Sequence, residues 1–375
     1  MKENWTYKRF GEVFNLQMGK TPSRDNFSYW GGDNIWVSIA DLKDKYIDST
    51  KEHITDLAVS ESGIHKVPQG TAIMSFKLTI GRAAITKCDL YTNEAIMSFE
   101  PKETDTILAD YVYYYLKGCK WMGANKAVMG QTLNKRTIIE NVFAYPPLAT
   151  QSRIVSELDL LQSIIDKQKT QLKEYDTLAQ SIFYDMFGDN NCTKIKLEEV
   201  VRVQSGLVSP LEAPYCDMIH IGPANIESYT GKLVNLKTAK EEKLISGKYL
   251  FDPSMVLYSK IRPNLNKVTI APFEGICSAD MYPLKPTKEL DKSFLLFILK
   301  QKDFLDYAIS NSGRANIPKI NREALLNYKI ILPPLSLQQF FAAKIESIEK
   351  QKAAISKSIA ETQKLFDYTM DKYFG

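Results

Sequence analysis

Two stretches of the chain carry the same pattern of apolar and polar positions. The first, Pro146 to Gly188, reads PPLATQSRIVSELDLLQSIIDKQKTQLKEYDTLAQSIFYDMFG, and the second, Pro333 to Gly375, reads PPLSLQQFFAAKIESIEKQKAAISKSIAETQKLFDYTMDKYFG. Apolar residues return at steps of three and four: Ile154, Leu158, Leu161, Ile165, Leu172, Ala179 and Ile182 in one, Phe341, Ile345, Ile348, Ile355, Ile359 and Leu365 in the other. Lys, Glu, Gln and Asp fill the remaining positions. This period predicts a long amphipathic helix in each copy, close to the 3.5-residue repeat of a coiled coil. The Pro-Pro pair suits a helix entrance, where a missing N–H costs nothing, and the terminal glycine suits a stop. About 38 helical residues rise roughly 57 Å. Both ends of the two copies stand 187 residues apart, so they align without a gap. A stripe that long needs covering, and the matching stripe of the same chain is the predicted partner.

Ahead of each helix lie short β-type runs punctuated by Gly, Pro, Asn and Asp. Ile35–Ala40, Thr71–Phe76, Ala83–Thr86 and Ala95–Phe99 are strand candidates in the first half, followed by a helix over Ala109–Lys117 whose tyrosines belong in a core. The second half repeats the order: Met218–Ile221, Met255–Ser259, Lys267–Ala271 and Met281–Leu284, then a helix over Lys292–Tyr307. Glu12, Val13, Gln17 and Gly19 match Glu199, Val200, Gln204 and Gly206 at the same offset of 187, whereas Gly130 matches Gly313 at 183 and Lys135 matches Lys319 at 184. The expected fold class is therefore two α/β (α+β) globular heads, internally duplicated and joined by two long coiled-coil helices. The boundaries are 1–145 for the first head, 146–188 for a central helical spacer, 189–332 for the second head and 333–375 for a C-terminal helical spacer. This is a domain duplication, not a solenoid repeat.

Composition narrows the class. The hydrophobic share is 44% and the charged share 25%, as in ordinary globular protein, and the net charge of +4 permits a polyanionic partner. Five cysteines without a CxxC pair point to reduced thiols and a cytoplasmic location. No secretory h-region and no apolar run of membrane-spanning length is evident.

Catalytic motifs are missing. Gly19-Lys20-Thr21 imitates the end of a P-loop, but Phe14 stands where the first glycine is required. His53, His65 and His220 lack metal-ligand spacing, so no metal site is expected. There is no GxSxG, no HExxH and no glycine-rich cofactor loop. The Pro-Pro pairs lack the flanking of an amino-methyltransferase motif. What the two halves do share is polar loops at corresponding places. In the first they hold Lys20, Thr21, Ser23 and Arg24, then Lys77, Thr79 and Arg82, then Gln131, Asn134, Lys135 and Arg136. In the second they hold Ser205, then Lys260, Arg262, Asn264 and Asn266, then Arg314, Asn316 and Lys319. Lys and Arg pair phosphates, while Arg, Asn and Gln forks match guanine and adenine edges, so these are the candidate DNA contacts.

The whole chain resembles a specificity subunit of a type I restriction-modification enzyme. The resemblance rests on the two PPL openings with Gln151 and Gln338, on Gly19-Lys20-Thr21-Pro22-Ser23, Tyr29-Trp30-Gly31-Gly32 and Ile35-Trp36-Val37, and on the Thr79-Ile80-Gly81 and Gly130-Gln131-Thr132 turns. The second head departs from it: Arg262-Pro263-Asn264-Leu265-Asn266 replaces the Thr-Ile-Gly turn. The resemblance implies long helices that pack antiparallel, with pseudo-twofold symmetry between two target recognition domains, and these domains read the halves of a bipartite, asymmetric double-stranded DNA site. It implies two methyltransferase (modification) subunits and separate restriction subunits as partners. S-adenosylmethionine, ATP and Mg are then expected on those partners, with no cofactor on this non-catalytic chain. A fused restriction-methylation enzyme is disfavoured by the missing methyltransferase motifs. A coiled-coil DNA-binding or structural protein without sequence preference is the alternative. Exposed scaffold faces leave self-association of the isolated chain open.

Overall fold

The computed structural model describes residues 2–77, 79–103, 105–123, 125–127, 130–188, 194–313 and 316–375, with backbone alone at 125–127 and 130–132. It divides into two compact units. One comprises Met1–Gln171 with Ile355–Gly375, the other Leu172–Ala354. Both long helices are present, Leu148–Phe187 and Leu335–Phe374, each of 40 residues. Each is divided between the units, the first after Gln171 and the second after Ala354.

The prolines act as the sequence suggests. The carbonyl of Pro147 accepts the first helical N–H groups, from Thr150 at 2.9 Å and Gln151 at 3.1 Å, and Pro334 does the same for Leu337 and Gln338 at 2.9 and 3.1 Å. One turn in, a fully buried glutamine fastens the helix to its head. Gln151 Oε1 accepts from Leu108 N at 2.9 Å, while its Nε2 donates to the carbonyls of Thr106 and Pro146, both at 2.9 Å. Gln338 repeats the set with Asp291 N at 2.8 Å and the carbonyls of Glu289 and Pro333 at 2.9 and 2.8 Å. The Pro146 and Pro333 carbonyls thereby gain a buried partner.

In the first unit Ile154, Leu158, Leu161 and Ile165 are buried with Phe366, Tyr373 and Phe374 of the second helix and with the head's Tyr111 and Tyr114. Tyr373 donates to Glu157 at 2.9 Å and Gln168 to Ser358 at 2.7 Å, so the helices run antiparallel there. In the second unit Phe183 and Phe187 pack on Phe341, with ring centroids 5.7 and 5.5 Å apart. Nearer the middle of the helices, Lys352 pairs with Asp176 at 2.7 Å, again antiparallel. Leu365, expected on the stripe, is 52% exposed. The helical phase turns it outward and gives the buried place to Phe366.

The central sheet of the first unit orders Phe14–Met18, Ile96–Pro101, Ala72–Ser75, Ala83–Thr86 and Tyr46–Ile47. That of the second orders Val201–Val203, Met281–Pro286, Val256–Ser259 and Val268–Thr269. A small ladder closes each head with the same register. Tyr7 faces Ala144 in the first and Lys194 faces Ile331 in the second, both members displaced by 187. The expected helix over Lys292–Tyr307 is two helices, Lys292–Lys300 and Lys302–Ser310, broken where Gln301 adopts extended backbone. The break leaves the Lys300 carbonyl free to accept from Asn266 Nδ2 at 3.2 Å.

Removing a buried amide that makes three hydrogen bonds strands one N–H and two carbonyls. Gln151→Ala and Gln338→Ala should each lower unfolding stability by about 2–4 kcal/mol. Denaturant unfolding of the purified chain measures this, and an unchanged midpoint for either variant would remove the amide from the scaffold's foundations.

Candidate nucleic-acid interface

In each head two strands of the central sheet run in one direction and flank a third running the other way. Phe14–Met18 and Ala72–Ser75 both pair antiparallel with Ile96–Pro101, Met18 facing Met97 and Ser75 facing Ile96. The loops after Met18 and Ser75 therefore leave from one end of the sheet, beside the loop that enters Ile96. Backbone hydrogen bonds tie them together there. Gly19 N donates to Ile96 O at 3.1 Å, Lys20 N to Thr92 O at 2.8 Å, Phe76 N to Ala95 O at 3.0 Å and Leu133 N to Phe76 O at 2.9 Å. Gly19 has no phosphate role in this geometry. A Cβ would stand 2.1 Å from Thr92 O, so only glycine permits the approach.

On this frame Arg24 lies over the rings of Trp30, at 3.8 Å, and Trp36, at 5.1 Å. Its guanidinium forks onto Glu52, one branch at 3.0 Å, and this bonding holds the Glu52 carboxyl below the usual range. Both tryptophans anchor the loop, Trp30 Nε1 to Ser23 O and Trp36 Nε1 to Lys20 O, each at 3.1 Å. The Thr21 hydroxyl donates to Glu94 and is the main cause of that carboxyl's lowered pKa, with the charges of Lys77 and Arg24 adding to it. Gly81, at φ +87°, closes the turn that carries Lys77, Thr79 and Arg82.

The second head builds the same end from different residues. Val201–Val203 and Val256–Ser259 flank Met281–Pro286, so Ser205 and Lys260 emerge side by side in the topology. Lys260 N donates to Asp280 O at 3.0 Å, Arg262 N to Pro318 O at 2.8 Å, and Ile320 N to Lys260 O at 3.0 Å. The 260–262 and 316–320 segments thus form one surface. Arg262 and Asn266 are both left-handed, at φ 47° and 44°. The Asn264 carbonyl accepts from Tyr229 Oη at 3.0 Å.

The candidate residues separate by what their side chains do. Lys20, Ser23, Thr79, Arg82, Lys135, Ser205, Arg262, Asn264, Asn316 and Lys319 are exposed, and Lys77 and Lys260 half-buried. Arg136 pairs with Glu140 at 3.1 Å along its own helix. Asn134 caps that helix, accepting from Thr137 N at 2.8 Å. Asn266, expected as a base reader, is 5% exposed and gives its amide to Lys300 O, so it serves the loop's own shape. Arg314 and the Gln131 side chain lie outside the described residues. Glu52, Glu94 and Trp30 were not expected at the site. The signal for Glu94 is its place just before strand Ile96–Pro101, where a carboxylate can accept from cytosine N4. His220 is buried against Glu242 at 2.8 Å, burial pushing its pKa down, and no group of metal-ligating residues occurs among the described residues.

Comparison with known proteins decides the family. The model described as type I restriction modification DNA specificity domain matches residues 2–174 and again 190–363. The chain belongs to this family. It carries the specificity domain twice. The EcoDI specificity subunit of Escherichia coli is 36% identical over 192 residues, 49% of this chain and 42% of that protein. The chain thus aligns with less than half the length of that relative. The MjaIX specificity subunit of Methanocaldococcus jannaschii is 22% identical over 99% of this chain and 92% of its own. Among solved structures, the S subunit from M. genitalium matches with TM-score 0.57 at 12% identity, covering 99% of this chain and 96% of that one. A chain from a type I R-M assembly study matches with TM-score 0.62 at 16% identity, covering 100% and 98%. At these identities the structures speak for the fold.

The contrast between Asn266 and Arg262 is measurable. Asn266→Ala should cost about 2 kcal/mol of stability, through the stranded Lys300 carbonyl and the left-handed backbone. Arg262→Gln should leave the unfolding midpoint within about 0.5 kcal/mol and weaken specific DNA binding instead. Paired unfolding and binding titrations check both, and a destabilised Arg262→Gln would remove that side chain from the interface.

Proposed function

We propose that this chain is the DNA-specificity subunit of a type I restriction-modification system, each head reading one half of a bipartite duplex site. One observation carries the reading. At the same end of each central sheet, loops tied by backbone hydrogen bonds carry Lys20, Lys77 and Arg82 in one head, and Lys260, Arg262 and Lys319 in the other. None of these six forms a salt bridge within the described residues. Cations that make no ion-pair contact, on a frame tied by backbone hydrogen bonds, suit phosphates, and the Asn, Thr and Ser groups among them suit base edges.

The loops differ between the heads, so the two half-sites differ and the whole site is asymmetric. The long helices act as the spacer between half-sites and as the support for methyltransferase and restriction subunits. Methyl transfer and cleavage belong to those subunits, together with S-adenosylmethionine, ATP and magnesium. The chain supplies the address and does no chemistry of its own. Its relatives' names as specificity subunits support this division.

Methylation mapping in a host that expresses this chain with its methyltransferase partner tests the reading: one split, asymmetric motif is expected. Inserting about four residues at matching points of both helices adds about 6 Å, so the unread gap should widen by about one to two base pairs with both half-sites unchanged. Altered half-sites at constant gap would refute the spacer role. In salt titrations of the assembled complex, specific binding should persist where binding to random duplex has been screened away.

A further inference from the structure

In each head the loop that precedes the Ile-x-x strand pushes a large apolar side chain into solvent. Phe27 is 86% exposed and Leu211 is 67% exposed. They stand 184 residues apart, the offset that also relates Ile35-Trp36-Val37 to Ile219-His220-Ile221. The backbone on both sides of Phe27 is fixed. Asn26 Oδ1 accepts from Ser28 N at 3.2 Å and Ser28 Oγ at 2.6 Å. Thr55 Oγ1 donates to Ser28 O at 2.8 Å, Thr55 N to Tyr29 O at 3.0 Å, and Tyr29 Oη to Glu61 at 2.7 Å. Trp30 Nε1 holds Ser23 O on the other flank. No ring of the described residues packs on Phe27, although Trp30 and Trp36 pack on each other a few residues away, with centroids 5.1 Å apart. Leu211 follows a buried proline, Pro210, and its loop is turned by Glu212 N to Ser209 O at 3.2 Å.

Single exposed apolar residues are common and by themselves mean little. Here two coincide in corresponding loops, and the first stands three residues from Arg24 on the loop that also carries Lys20 and Thr21. A loop held by hydrogen bonds that presents an unpacked Phe and also carries Lys20 has the makings of an intercalating wedge, and Leu211 stands at the corresponding place in the second head. Such side chains enter between base pairs, unstack one step and bend the duplex, while neighbouring cations hold the phosphates. We propose that Phe27 and Leu211 are these wedges, one for each half-site, and that each head distorts the DNA it reads. The proposal rests on the DNA-specificity reading above and adds to it a physical mode of engagement.

The test uses the chain assembled with its methyltransferase subunits, on duplexes bearing the mapped site with 2-aminopurine placed in turn at each step. The wild-type complex should raise the fluorescence at one step in each half-site. Phe27→Ala should abolish the rise in one half-site only and weaken binding about tenfold, the order expected for losing one stacking contact. Leu211→Ala should do the same in the other half-site. Phe27→Leu should keep most of the signal, since the second head uses leucine. Unchanged fluorescence and affinity in Phe27→Ala would overturn the wedge while leaving the specificity reading intact. Loss of subunit assembly in Phe27→Ala would also overturn it, making the residue a protein contact. A wild-type complex without any site-specific binding would overturn the specificity reading, and the wedge with it.

Discussion

The buried amide at the foot of each long helix is the constraint on which the architecture turns. A Pro-Pro entrance removes two backbone donors and leaves a proline carbonyl facing the interior. Such a carbonyl is costly when unpaired, and a glutamine five residues on is long enough to return to it. Gln151 and Gln338 do so, and each spends its remaining amide groups on the segment leading into the head's main helix. One side chain thus joins helix start, linker and head in a closed set of bonds. Direction of departure and azimuth of the long helix are fixed together, and the apolar stripe is presented to the core without further adjustment.

From that foot the packing follows. A helix fixed in azimuth buries Ile154, Leu158 and Ile165 as a row, and the row is wide enough to take the aromatic end of the other helix in the same unit. The second unit reaches the same end with phenylalanines, Phe183, Phe187 and Phe341. Edge-to-face rings at 5–6 Å tolerate small shifts in depth better than interlocked branched chains do. The helical ends therefore seat on heads whose cores differ in composition, and the head-closing ladders keep an identical register.

Much of this was legible in the sequence. Repeated proline pairs, an ungapped offset and a stripe of heptad-like period are local signals, and they led to helices Leu148–Phe187 and Leu335–Phe374 within two residues at each start. Four strands of each head were visible as apolar runs between turn residues, whereas Phe14–Met18 and Val201–Val203, which lead into the candidate site loops, were not. The roles of individual polar residues were not, because they depend on partners far along the chain. Asn266 looked like a base reader until Lys300, brought close by a helix break at Gln301, took its amide. Asn134 was read as a contact and is a helix cap. Glu52 and Glu94 were passed over because a polyanion partner directs attention to cations. Yet Arg24 is held by the first, and the second sits at the sheet end where the loops meet. Leu365 and Phe366 show the same limit on a smaller scale: a phase error of one residue exchanges inside for outside over a helix this long.

The offset itself records how structure partitions what can vary. Residues bonded into the scaffold keep a separation of 187: the glutamines, the prolines, the ladder pairs and the helix-closing glycines. Elsewhere in the heads the match is looser: Ile35-Trp36-Val37 relates to Ile219-His220-Ile221 at 184 and Gly130 to Gly313 at 183, and most of the loop side chains differ. A closed hydrogen-bond set with no solvent access leaves no room for an inserted residue, since one extra position would strand several buried groups at once. A loop whose backbone is tied at a few points and whose side chains face water has no such penalty. Two heads built this way can carry different strand-end loops on one scaffold, because replacing those exposed side chains leaves the buried bonds untouched.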